Sequence, residues 1–223
     1  MALFQGTLHA GATISNPNGE TGVAGIRVLD FGDRDYILTC AHVVAPPWDE
    51  REGAQIDTPA KAPGKAGESV FGSVHSWSRL RSGFTHPVDA ALVKPFLGVR
   101  LSNEFLRLPA APHRVMPDLR QFLAAPGAPS QLKIQTARGP VTGTVRAFTS
   151  RSFLLRNRPY HFADILEYEA QVHAGDSGSI VIDAQSRAVM GLHFAGIESR
   201  QGYCIPIEVV LKFFPEHKLR IAK

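Results

Sequence analysis

Leu166-Glu167-Tyr168-Glu169-Ala170-Gln171-Val172 alternates apolar and polar residues at a period of two. That period places one side-chain face against a core and the other toward water, as in a half-buried β-strand. Outward from this stretch the chain keeps the same grammar. Short runs rich in Val, Ile, Phe and Tyr recur at Val23-Leu29, Tyr36-Thr39, Ser69-Val74, Ala90-Val93, Leu132-Thr136, Val141-Phe148, Ser179-Ile182 and Ala188-Phe194. Gly, Pro and polar clusters separate them, and Asp183-Ala184-Gln185-Ser186 between two such runs reads as a hairpin turn. The fold class expected is therefore all-β. One helical pattern stands out near the end: Ile207, Val210, Leu211 and Phe214 fall on one face, with Pro206 before and Pro215 after. A second short helix is expected to follow His42. Ala45 to Gly67, with its many prolines and glycines, reads as a long loop, and Leu108 to Pro117 as a linker between two halves.

Composition bounds the function classes. The chain has 223 residues, 44% apolar and 20% charged, the balance of an ordinary globular protein. The net charge of +4 is carried by scattered residues such as Arg146, Arg151, Arg156 and Arg158. Without a like-charge block they read as a solvated face, so no nucleic-acid partner is expected. Met1 to Ala12 lacks a basic start followed by an apolar run, and no long apolar stretch occurs anywhere in the sequence. The expectation is a cytoplasmic protein without a membrane partner. Cys40 and Cys204, each set among apolar residues, read as buried free thiols. The nine histidines are dispersed, with no His-Glu-x-x-His and no paired-cysteine spacing. Neither a metal nor another cofactor is expected.

Just past the alternating strand stands Ala174-Gly175-Asp176-Ser177-Gly178-Ser179. A serine hydroxyl is a weak nucleophile that needs a nearby base and donors for the charge developing on a substrate carbonyl. Glycines on both sides of Ser177 permit a tight turn that aims the N–H groups of Gly175 and Ser177 at one point. The same hexapeptide also suits an ordinary surface turn. His42 ends a β-run, Tyr36-Ile37-Leu38-Thr39-Cys40-Ala41-His42, and imidazole takes and returns protons near neutral pH. A packed core histidine is the plainer reading of that residue alone. Asp89 precedes the apolar run Ala90-Ala91-Leu92-Val93, where a carboxylate is costly to bury unless paired.

The order His42, Asp89, Ser177 is the chain order of chymotrypsin, the standard template for this chemistry. Leu38-Thr39-Cys40-Ala41-His42, Asp89-Ala90-Ala91-Leu92 and Gly175-Asp176-Ser177-Gly178 resemble the three signature motifs of trypsin-like serine proteases. The resemblance runs from about Gly22 to the terminal helix. It implies two six-stranded antiparallel β-barrels with the active site between them. Residues 1–107 would carry His42 and Asp89, and residues 118–223 would carry Ser177 and the helix. It implies Ser177 as nucleophile, His42 as general base and then acid, Asp89 as the orienting carboxylate, and Gly175 and Ser177 as oxyanion-hole donors.

The same resemblance assigns the substrate contacts. Gly191-Leu192-His193-Phe194-Ala195-Gly196 is similar to the strand that walls the primary pocket. His193 resembles the histidine with which glutamyl endopeptidases bind an acidic side chain, and a histidine that only packs is the alternative. Phe194 replaces a serine that commonly helps hold the aspartate, which questions the support of Asp89. Gln171 stands where trypsin carries its acidic selector, which argues against cleavage after Arg or Lys. Asp176 matches the residue that pairs with a new N-terminal amine in secreted relatives. The expected partners are a protein or peptide substrate and an activating protein. A non-catalytic binding module on the same fold is the competing reading.

Overall fold

The computed structural model describes residues 3–45, 59–64, 67–104, 112, 114–125, 131–155, 157–197 and 200–222. In chain order the strands of the first half are β1 (Gly6–His9), β2 (Thr13–Ser15), β3 (Thr21–Val23), β4 (Ile26–Leu29), β5 (Asp35–Thr39), β6 (Pro59–Gly64), β7 (Gly67–Trp77), β8 (Thr85–His86), β9 (Ala91–Pro95) and β10 (Val99–Ser102). Helix α1 (Ala41–Val44) interrupts them, and α2 (Leu119–Ala124) follows them. The second half holds β11 (Gln131–Thr136), β12 (Gly139–Leu155), β13 (Arg158–Ala170), β14 (Ile180–Asp183), β15 (Val189–Ile197), β16 (Gln201–Pro206), α3 (Ile207–Phe213) and β17 (Arg220–Ile221).

These strands form the all-β architecture read from the sequence. In the second half the order β12-β11-β14-β15-β16-β13 closes on itself through the β12–β13 pairing, so six strands make a ring. Closure removes the free edges that an open sheet would present. Seven strands of the first half and the C-terminal β17 form an eight-stranded array, β17-β4-β5-β9-β7-β6-β2-β3. Two pairings tie the halves together. β8 adds in parallel to β13, with Phe162 opposite His86, and the last strand, β17, returns to pair with β4. One continuous apolar cluster accordingly draws residues from both sheets, from Ile14 and Leu38 to Phe162 and Val210.

The alternation from Leu166 to Val172 holds: Leu166, Tyr168, Ala170 and Val172 are buried, and Glu169 and Gln171 are exposed. The Asp183 turn also holds, with its carboxylate accepting from Ser186 N at 2.6 Å. The terminal helix buries Ile207 and Val210 as its periodicity requires. Two local expectations differ. Helix α1 begins before His42 and contains it, because the turn closes at Ala41 (Ala45 N to Ala41 O, 2.8 Å). Pro59–Gly64, expected within a loop, is a strand paired with β7. Residues 46–58 and 65–66 of the expected loop, and 108–111 and 113 of the expected linker, lie outside the described residues. Helix α2, capped by the Asp118 carboxylate on Gln121 N at 3.0 Å, had no periodic signal strong enough to find it. None of the described helices is long and apolar enough to cross a membrane.

Candidate active site

Register positions the first pair. β5 and β9 run antiparallel with Thr39 opposite Ala91, so the residues just beyond one and just before the other lie side by side. Those residues are His42 and Asp89. The Asp89 carboxylate, fully buried, accepts from His42 twice: Oδ1 from the backbone N at 3.1 Å, and Oδ2 from the ring Nδ1. Ser78 fixes the chain next to it, accepting from Ala90 N at 2.9 Å and donating its own N to Ala90 O at 2.8 Å. Phe194 in place of a serine therefore does not leave Asp89 unsupported, because His42 occupies both carboxylate oxygens. Sequence reasoning missed Ser78, which carries no motif.

The Ser177 segment approaches the His42 segment at two points. The carbonyl of His193 accepts from Gly178 N at 2.8 Å and from the Cys40 thiol at 3.2 Å, so one oxygen joins the neighbours of Ser177 to those of His42. Gly22 lies between the same two segments. A β-carbon there would stand 2.6 Å from the Val43 methyls and 2.7 Å from the Ser177 carbonyl oxygen. The hydroxyl of Ser177 donates to the carbonyl of Phe194 at 3.1 Å.

The turn around Ser177 spends its amides selectively. Asp176 N donates to His173 O at 3.1 Å, Gly178 N to His193 O, and Ser179 N to Asp176 O at 3.0 Å. Among the described residues, the amides of Gly175 and Ser177 have no protein acceptor. Gly175 has φ +89° and Gly178 φ +96°, values that glycine adopts without strain. A site built this way offers two uncommitted donors beside a hydroxyl, which suits a developing oxyanion.

Asp176, nearly fully buried, finds its cation within the chain. Arg138 Nη2 donates to its Oδ2 at 2.7 Å, and His173 N donates to the same oxygen at 2.8 Å. Arg138 was one of the scattered basic residues and had no sequence signal.

The substrate-contact residues divide. Phe194 touches Ser177 directly, and its ring packs on Phe162 with centroids 4.7 Å apart. His193 is buried, with Nδ1 hydrogen-bonded to the Tyr168 hydroxyl at 2.6 Å. Burial holds its pKa down from 6.5 to about 4, so the ring is neutral at pH 7. Ala195 and Gly196 continue the same strand. Gln171 is exposed and borders an open cleft of about 740 Å³ with Glu169, Ile197, Arg200 and Gln201, whose described lining includes neither Ser177 nor His193. A metal is poorly served here. Ligand atoms of Cys40, His42 and Asp89 lie within 4.8 Å of one another, but burial pushes the Cys40 thiol well above its usual range. It stays a neutral donor to His193 O.

The family profile of the trypsin-like peptidase domain matches residues 21–192. The chain belongs to the trypsin-like peptidase family. Solved structures similar to it include a Nocardiopsis protease, 17% identical over 98% of this chain and 100% of that one, with a TM-score of 0.66. A Cellulomonas bogoriensis chymotrypsin is 15% identical over 97% and 99% of the two chains, with a TM-score of 0.65. A glutamic acid specific serine protease that uses a histidine triad in substrate binding is 16% identical over 96% and 100%, with a TM-score of 0.62. No curated protein matches the sequence. The fold is thus that of the trypsin-like bacterial serine proteases, whose substrates are proteins or peptides.

Proposed function

We propose that the chain is a serine endopeptidase with Ser177 as nucleophile, His42 as proton carrier and Asp89 as the carboxylate that orients it. The observation that carries this reading is the double hydrogen bond from His42 to the buried Asp89. With Nδ1–H donated to Asp89, the neutral ring carries its lone pair on Nε2, the atom that takes a proton. Ser177 Oγ bonds to the scissile carbonyl carbon while its proton goes to His42 Nε2 rather than to the Phe194 carbonyl. The carbonyl π electrons move to the oxygen, which the amides of Gly175 and Ser177 stabilise. Collapse breaks the C–N bond, and the leaving amine takes the proton from His42. Water then repeats the sequence on the acyl-enzyme and restores the Ser177 hydroxyl.

Arg138 on Asp176 supports a site that forms without an N-terminal ammonium from precursor cleavage. The reading extends to narrow specificity, dependence on an activating protein, and a cytoplasmic location; a proteome-wide cleavage profile of the isolated chain tests the first two. A fluorophosphonate probe tests the chemistry. Labelling of the wild type and loss of labelling in Ser177→Ala are expected. A wild type that stays unlabelled, alone and with cell extract, would leave a binding module as the better account.

A further inference from the structure

Beside Ser177 one strand edge has no partner strand among the described residues. β15 pairs with β14 only as far as Leu192 opposite Ile180, while β16 accompanies it to Ile197. Among the described residues no strand pairs with the other side of the stretch from Phe194 to Gly196, where the Phe194 carbonyl accepts the Ser177 hydroxyl. An extended peptide adding to that edge would bring a carbonyl to Ser177. The side chain of that residue would then enter the space between this stretch and the segment Ala170 to Val172.

Val172 narrows that space. Val172 is 1% exposed, and a β-carbon on Gly196 would lie 2.9 Å from its Cγ2. From below, Tyr168 closes on Gly202. The three atoms nearest a β-carbon there all belong to Tyr168, with its hydroxyl oxygen at 2.7 Å. Tyr168 and His193 are 0% and 1% exposed, and their polar atoms are spent on each other.

We infer that this subsite, walled by Val172 and floored by the Tyr168–His193 hydrogen bond, accepts a small uncharged side chain, that of Gly, Ala or Ser. The inference rests on the endopeptidase reading above and names its substrate class. A carboxylate resting on that floor would meet the neutral His193 ring, and its desolvation would go uncompensated there. A ring or a long base would have to displace Tyr168 from Gly202. The tyrosine partner of His193 separates this chain from any recognition that depends on an ionised histidine cluster.

The experiment compares peptides that differ only in the residue before the cleaved bond, using full-length protein whose active fraction is set by fluorophosphonate labelling. Rates after Ala or Ser are expected to exceed those after Glu, Phe and Arg by at least about 10-fold, the order that a misfit in a closed pocket gives. Val172→Ala, a small change at the wall, is expected to raise the Leu-to-Ala rate ratio about 10-fold. Tyr168→Ala makes the larger opening, and Val172→Ala stands alone if that variant does not fold. Labelled enzyme that prefers Glu or Phe would overturn the inference and leave the endopeptidase reading intact. Unlabelled protein would overturn both.

Discussion

Arg138 and Asp176 lie 38 residues apart in sequence, yet the guanidinium holds the buried carboxylate next to Ser177 at 2.7 Å. The arginine is half exposed and the aspartate 3% exposed, so the bond anchors the Ser177 turn from its solvent side. Arg138→Ala leaves a buried charge with the His173 amide as its described donor. We expect a stability loss of about 1–3 kcal/mol by urea unfolding. We also expect at least a 10-fold fall in the fraction of protein that a fluorophosphonate can label. Unchanged labelling at full stability would show that the turn holds without Arg138.

Removing the charge from Asp89 leaves its shape but reverses one hydrogen bond. Asp89→Asn offers an N–H or a carbonyl where His42 needs an acceptor for both donors. The wrong imidazole tautomer follows, and kcat for a cleaved peptide is expected to fall about 10⁴-fold. Folding should change little by circular dichroism. A variant that keeps more than a tenth of the activity would remove Asp89 from the orienting role.

Acid should destabilise the protein through His193. Its folded pKa of about 4 lies below the ordinary 6.5, so above pH 6.5 the ring is neutral in both states. As pH falls, the unfolded chain takes the proton first, and stability is lost until about pH 4, where the folded ring also protonates. The total loss from this residue is roughly 3 kcal/mol. His75, whose pKa burial and His217 also lower, acts in the same direction. Urea unfolding at pH 7, 5.5 and 4 is expected to show this slope, and His193→Leu to flatten it. An equal slope in both proteins would refute the assignment.

Gly178 and Gly83 separate backbone strain from crowding. Both have positive φ, +96° and +85°, but nothing stands near a β-carbon at Gly83. At Gly178 that carbon would overlap the Val23 carbonyl and the Thr39 hydroxyl. Gly83→Ala should cost about 1 kcal/mol and Gly178→Ala about 3–5 kcal/mol, read as shifts in urea midpoint. Similar losses would mean that the contacts at Gly178 relax freely.

Both cysteines are buried and free, and burial raises both thiol pKa values. A thiol reagent is expected to modify neither in native protein at pH 8 and both in denaturant. Reaction of native Cys40 would indicate that the His42 side of the site opens to solvent.

The sequence alone determined the β-class, the terminal helix, the Asp183 turn and the glycine-flanked Ser177. Each of these is written in neighbouring residues: a period of two or of 3.6, or a turn that only glycine permits without strain. It also marked His42 and Asp89 as candidates, because a titratable group bordering an apolar strand asks for a partner. Only the tertiary structure decided what those partners are. The register of β5 on β9 sets Asp89 on His42, the turn between β11 and β12 brings Arg138 to Asp176, and the ring of six strands lays Tyr168 on His193 and Gly202. Such pairings join residues 25 to 47 positions apart. No local pattern encodes them, since they are fixed by which faces must be buried together once the strands are in register.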